Sequence, residues 1–219
     1  SRPPATNMNT RCAATCSSSV SVSAFSPFSF FRFSFSARAM RNAADFSAAV
    51  LDTFSSWMLH RLQVDPKRYP LLQWRWKVTE LIAQADNARK NTEDSPVRVV
   101  VSFDGDINTL PLDDRMFFDN VRLLTGQQLP YATLMYIWEN RAPKASVIPN
   151  RHTSRIRMIV AESGRDKVGA WQEVTRNVYE DFKRAFGEEP GQITAIGIMT
   201  DTDNTGDNVH AYYGDILFR

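Results

Sequence analysis

Beyond Trp57 the apolar and polar residues mostly alternate with a period of two, and that alternation predicts strands. In LLQWRWKV, Leu72, Trp74, Trp76 and Val78 point one way while Gln73, Arg75 and Lys77 point the other, so both tryptophans belong to the core. Before it, Met58, His60, Leu62 and Val64 alternate with Leu59, Arg61 and Gln63 until Asp65-Pro66 turns the chain. VRVVVSF sets Val97, Val99, Val101 and Phe103 on one buried side, with β-branched residues suited to a pleated surface. TLMYIWE is apolar on both faces, as a central strand covered on both sides requires. Ile156, Met158 and Val160 alternate against Arg155 and Arg157, and the chain closes with strands at 193–200 and 211–218 around an Asp/Asn/Thr/Gly loop.

Two stretches carry helical spacing instead. Met116, Phe117, Val121 and Leu124 recur at helical spacing before Gly126, predicting a helix over 113–124. Trp171, Val174, Val178, Phe182 and Ala185 do the same up to Gly187, predicting a helix over most of 173–186 whose first turn reads equally as a strand. Seven or so strands, two short helices, no βαβ alternation and no internal repeat predict an all-β, mainly antiparallel sandwich.

Composition divides the chain. Residues 1–44 hold five Arg, no Lys and no acidic residue, and both cysteines, Cys12 and Cys16, fall there. The run FSPFSFFRFSFS is too short and too broken to span a membrane as a helix. Residues 1–50 therefore read as a disordered or targeting leader, as wrongly joined upstream sequence, or as a folded element, and residues 51–219 as the sandwich. With 26 basic and 24 acidic residues the chain has a net charge of +2, which announces neither nucleic acid nor an anionic membrane as partner.

The runs WRWKV (74–78), LMYIWEN (134–140), RNVYEDFKRAFGEEP (176–190) and IMTDTDNTGDNVHAYYGDILF (198–218) resemble the bacterial family catalogued as domain of unknown function 3047, over about residues 57–219. The resemblance implies a jelly-roll, galactose-binding-like β-sandwich such as many carbohydrate-binding modules use, and a periplasmic or secreted location. It leaves residues 1–56 unmatched. Opening strands would then be missing, and the bare sheet edge would invite a homodimer.

Chemistry concentrates at the closing loop. Asp201, Asp203, Thr205 and Asp207, with Asp215 behind them, space oxygen ligands as a loop does around calcium, with Gly206 among them. The twelfth position is Tyr212 and not Glu, so an EF-hand is excluded; a calcium loop between strands and a plain tight turn both stand. Tyr136, Trp138, Tyr212 and Tyr213 offer flat faces for sugar rings, or simply fill the core. Arg75, Lys77, Arg98, Arg155 and Arg157 lie on the polar sides of their strands and form a basic stripe, or a solvated face, if those strands adjoin. His60, His152 and His210 are isolated, and no HExxH, GxSxG or phosphate loop occurs.

The expected function is a non-catalytic envelope module binding a carbohydrate or similar polar ligand, with a structural calcium, and with Arg75, Arg98, Tyr136, Trp138 and Tyr213 as contacts. The alternatives are a carbohydrate-active hydrolase using two of Asp104, Asp106, Asp201, Asp203 and Asp215, and a purely structural or assembly protein.

Overall fold

A computed structural model describes residues 19–24, 46–49, 55–202, 204 and 209–219. In chain order its elements are β1 (Ser19–Ala24), β2 (Phe46–Ala49), β3 (Ser55–Val64), β4 (Leu71–Val78), β5 (Ser95–Phe103), α1 (Leu112–Thr125), β6 (Ala132–Glu139), β7 (Val147–Pro149), β8 (Ile156–Ser163), β9 (Gln172–Asn177), α2 (Val178–Phe186), β10 (Ile193–Asp201) and β11 (Val209–Phe218). They form a four-stranded sheet, β1-β11-β4-β9, and a seven-stranded sheet, β2-β3-β10-β5-β6-β8-β7. All pairings are antiparallel except that of β6 with β8. The chain crosses from one sheet to the other between β1 and β2, β3 and β4, β4 and β5, β8 and β9, β9 and β10, and β10 and β11. This two-sheet crossing pattern is that of a jelly-roll sandwich. No helix among the described residues is long and apolar enough to cross a membrane.

The core follows directly from the alternation. Leu72, Trp74, Trp76 and Val78 of β4 meet Val97, Val99, Val101 and Phe103 of β5, and Leu134, Tyr136 and Trp138 of β6 join them between the sheets. Trp74 packs 5.3 Å from Trp76 and 5.0 Å from Tyr136, and Trp76 lies 6.3 Å from Trp138, measured between ring centres. The other face of β6 is covered as well: Ile137 joins Ile148, Met158 and Val160 in a second apolar cluster outside the large sheet. This explains why TLMYIWE has no polar face.

Upstream of Trp57 the sequence pattern predicts no strand, yet β1 pairs with β11 and β2 pairs with β3. They occupy the edges left bare in the sequence reading. SVSVSA in β1 alternates Ser with Val, a period of two built from residues too small to signal a core.

The segment read as a helix over most of 173–186, with a first turn open to a strand reading, does begin as a strand. Gln172–Asn177 is strand β9, and the helix begins at Val178, where the Asn177 side chain accepts a hydrogen bond from the Glu180 amide at 3.0 Å. Val174 packs on the core from the strand, so its spacing from Val178 is a coincidence of two elements. Gly187 closes α2 at φ 75°, and Phe182 packs 4.6 Å from Phe103.

Helix α1 lies where expected and ends at Gly126 (φ 72°), and the face it buries is only partly the one its apolar spacing marks. Asp114 and Phe118 face the protein, with Phe117 and Val121 half-buried beside them, while Met116 and Leu124 are exposed. Asp114 decides the orientation. It accepts hydrogen bonds from Thr153 Oγ1 at 2.6 Å, from the Ser154 amide at 2.8 Å and from the Ser154 hydroxyl, tying the helix to the turn before β8. Burial alone would push this carboxyl up, but the Ser154 and Thr153 hydrogen bonds outweigh it and hold it below its ordinary value. Phe118→Ala is expected to cost about 3 kcal/mol in urea unfolding, and Leu124→Ala less than about 0.5 kcal/mol. Equal losses would show that the helix packs through the other face.

Candidate functional site

Most of the residues nominated from sequence as ligand contacts are structural. Tyr136 is fully buried and donates its hydroxyl hydrogen to Asp181 Oδ2 at 3.0 Å. Burial first, and then the Asp181 carboxylate, push that phenol well above its ordinary pKa. Trp138 is buried with its Nε1 donating to the Gly164 carbonyl at 3.0 Å. Tyr213 is buried and reaches across the sandwich, its hydroxyl donating to the Met199 carbonyl at 2.6 Å and accepting from the Arg98 amide at 3.1 Å. None of the three offers a face to a ligand.

Arg98 is also enclosed. The outer face of β5 at this point is covered, so the guanidinium lies beside the Met135 and Met158 sulfurs at 3.9 Å each and pairs with Asp201 Oδ2 at 3.1 Å. Its Nη2 donates to the Glu93 carbonyl at 2.6 Å. The Glu93 carboxyl itself is pushed up by burial, against the lowering effect of Arg98. Arg155 is buried as well, against Glu188 at 2.5 Å and over Tyr131, and β4 lies in the other sheet, so Arg75, Lys77, Arg98, Arg155 and Arg157 share no one face, whether as a basic stripe or as a solvated one.

The aspartates distribute in the same way. Asp201 holds Arg98. Asp104 accepts from the Gln192 amide at 2.5 Å, and Asp106 accepts from both nitrogens of Asn108 that reach it, at 2.9 Å each. Asp106 thereby caps its turn, and Asp104 ties the end of β5 to the residue before β10. Asp215 is half-buried on β11; Asp203, Thr205 and Asp207 lie outside the described residues. Among the described residues no three His, Cys, Asp or Glu gather to hold a metal. The neighbouring Asn204 is tied by its side chain to Asp94 Oδ1 at 2.9 Å, fastening the closing loop to the turn before β5.

Only Arg75 of the nominated contacts lies on an open surface, and it does not stand alone. The outer face of the four-stranded sheet carries the polar side of β4, and the register brings three strands together there. Tyr212 of β11 pairs with Lys77, and Gly214 pairs with Arg75. On the other side Arg75 pairs with Glu173, and Gln73 with Thr175. The next outward position on that side is Trp171, just before β9, which is 39% exposed. Lys77 Nζ sits 4.6 Å from the Tyr212 ring centre and 5.8 Å from that of Trp171, while the Arg75 guanidinium sits 5.0 Å from Trp171. The two rings are 6.5 Å apart at 60°.

Gly214 makes this arrangement possible. A Cβ there would lie 2.3 Å from Arg75 Nε and 2.5 Å from its Cγ, so only a residue without a side chain lets Arg75 lie across the sheet. The Arg75 Nε is shielded and has no hydrogen-bond acceptor. Packing against the sheet and Trp171 therefore holds the guanidinium, not a buried acid. Sequence reasoning missed Trp171 because its spacing to Val174 and Val178 suggested a helix. The usable signal was the alternation of Trp171, Glu173 and Thr175 against Gln172 and Val174.

Fold and surface together define a two-sheet jelly-roll sandwich with an aromatic and cationic face on its smaller sheet. The chain belongs to the family described as Protein of unknown function (DUF3047), whose sequence profile matches residues 34–217. The match begins upstream of the region that the sequence motifs delimit, and it includes β2. No curated protein matches the chain. Among solved structures, the xyloglucanase domain of NopAA, a type three effector from Sinorhizobium fredii in complex with cellobiose, is similar at a TM-score of 0.41 and 7% identity, over 80% of this chain and 81% of that one. A loop swap mutant of Necallimastix patriciarum Xyn11A is similar at a TM-score of 0.34 and 8% identity, over 82% of this chain and 98% of that one. Scores this low express a loose likeness in strand layout and carry nothing about a site.

Proposed function

We propose that the protein is a non-catalytic binding module and that it binds a carbohydrate on the outer face of the four-stranded sheet. The supporting observation is the exposed ring of Trp171 beside Tyr212, with Arg75, Lys77, Gln73, Glu173 and Thr175 around them on one continuous sheet surface. A sugar presents an apolar ring face and a rim of hydroxyls. It is bound where a flat aromatic surface is flanked by polar groups that orient the rim. A sheet face supplies both along a line, so an extended chain of sugars fits it better than a single unit does.

The test is electrophoresis of the full chain through gels containing soluble neutral or acidic polysaccharides. The wild type is expected to be retarded by at least one of them. Trp171→Ala is expected to weaken that retardation at least about tenfold, the scale at which an interface tryptophan acts. Because Trp171 is at the surface, the melting temperature of this variant stays near that of the wild type. Free migration of the wild type through every gel would overturn the reading. So would equal retardation of wild type and Trp171→Ala.

A further inference from the structure

We infer that the saccharide taken by this face is acidic, with carboxylate-bearing sugar units that meet Arg75 and Lys77; this rests on the carbohydrate reading above and specifies its ligand class. Elsewhere in the protein three cations close to the core are matched to acids, Arg98 to Asp201, Arg155 to Glu188 and Arg176 to Asp181, while the half-buried Arg157 donates to the Ala185 carbonyl instead. None of the ion pairs among the described residues takes Arg75 or Lys77. Glu173 stands next to Arg75 in the register and still makes no ion pair with it. Both cations are held over aromatic rings, in the order Arg75, Trp171, Lys77, Tyr212.

That order discriminates between ligands. A neutral sugar stacking on Trp171 or Tyr212 competes with the cations for the ring faces and must push them aside, losing the cation–π attraction. An anionic sugar keeps both cations in place, because its carboxylate pairs with the side of each cation that faces away from the ring. Charge-assisted hydrogen bonds of this kind are about twice as strong as neutral ones, and the planar guanidinium of Arg75 suits a carboxylate in two-point contact. A single-stranded nucleic acid is the other polyanion with flat rings. It is disfavoured because the two aromatic rings are inclined at 60° and do not form successive parallel shelves, and because the chain as a whole carries a net charge of only +2.

The experiment compares polygalacturonate with the same polymer after full methyl esterification, which keeps the sugar and removes its charge. Binding of the full chain to each is measured by calorimetry, with a single-stranded oligodeoxynucleotide as a third probe. Polygalacturonate is expected to bind at least about tenfold tighter than its ester, one charge-assisted contact being worth that factor. Lys77→Met and Arg75→Met are each expected to remove most of that preference, and rising salt to erode it. Lys77→Met alters only the surface end of the site, so it tests the claim even if Arg75→Met disturbs the sheet.

Equal affinity for polymer and ester, with both lost in Trp171→Ala, would overturn the acidic-ligand inference and leave the carbohydrate reading standing. Binding to neither polymer, nor to any neutral glucan, would overturn both. Binding of the oligonucleotide as tightly as polygalacturonate, and undiminished in Trp171→Ala, would mark simple polyanion attraction and also overturn it.

Discussion

Asp201→Ala is expected to lower the unfolding free energy by about 3–5 kcal/mol, because it leaves the Arg98 guanidinium buried without its counter-charge. The Arg98 and Asp201 side chains are only 4% and 8% exposed and meet at 3.1 Å. The guanidinium would keep the Glu93 carbonyl at 2.6 Å, a neutral acceptor, and two methionine sulfurs at 3.9 Å, which are weak acceptors for a cation. Urea unfolding of the full chain measures the loss, and a loss below about 1 kcal/mol would show that the pair behaves as an exposed one. The double variant Arg98→Met with Asp201→Leu is expected to recover most of the stability, since apolar residues of similar size commonly replace a buried ion pair at little cost. The same variant bears on the calcium expected at the closing loop. A calcium-dependent rise in melting temperature that Asp201→Ala abolishes would return this carboxylate to a metal.

Tyr213→Phe is expected to cost about 2–4 kcal/mol, although it removes a single oxygen atom. The ladder between β10 and β5 shifts register between Met199 and Asp201. At that shift the Tyr213 hydroxyl, arriving from the opposite sheet, donates to the Met199 carbonyl at 2.6 Å and accepts from the Arg98 amide at 3.1 Å. It bridges a backbone donor and acceptor where the ladder is interrupted, with Thr200 Oγ1 3.3 Å away. Phenylalanine would leave both main-chain groups dry and without these partners. Hydrogen exchange at the Arg98 amide is expected to accelerate along with the loss of stability. Tyr212→Phe, one residue earlier on the open face, is expected to change stability by less than about 0.5 kcal/mol. A similarly small effect of Tyr213→Phe would mean that the rung closes without the hydroxyl.

These two residues show what made the site hard to read. Asp201 looked like the head of a metal loop, and its acidic spacing is real. Yet Arg98, the group that claims it, lies on a different strand, β5, far earlier in the chain. Tyr212 and Tyr213 are adjacent and chemically alike, so alternation guarantees that one faces inward and one outward without saying which. On β6 the ambiguity is greater, because both faces are apolar over most of the strand and Tyr136 lies between Met135 and Ile137, with no polar neighbour to mark an open side. The aromatic and cationic face joins Lys77, Trp171 and Tyr212. No local pattern relates residues that far apart.

By itself the sequence determined the strands whose two faces differ in polarity, above all LLQWRWKV, the glycine-terminated helices, the all-β class and the membership signalled by the closing motif. Those features depend on local periodicity and on backbone geometry, which a short stretch of chain expresses unaided. Only the tertiary structure decided which face of α1 packs, where β9 ends and α2 begins, that β1 and β2 line the sheet edges, and which charges are buried together. Each of these depends on strand register and on what covers the outer faces. Register is set by contacts between segments distant in sequence, where a shift of one residue exchanges the inward side chains for the outward ones.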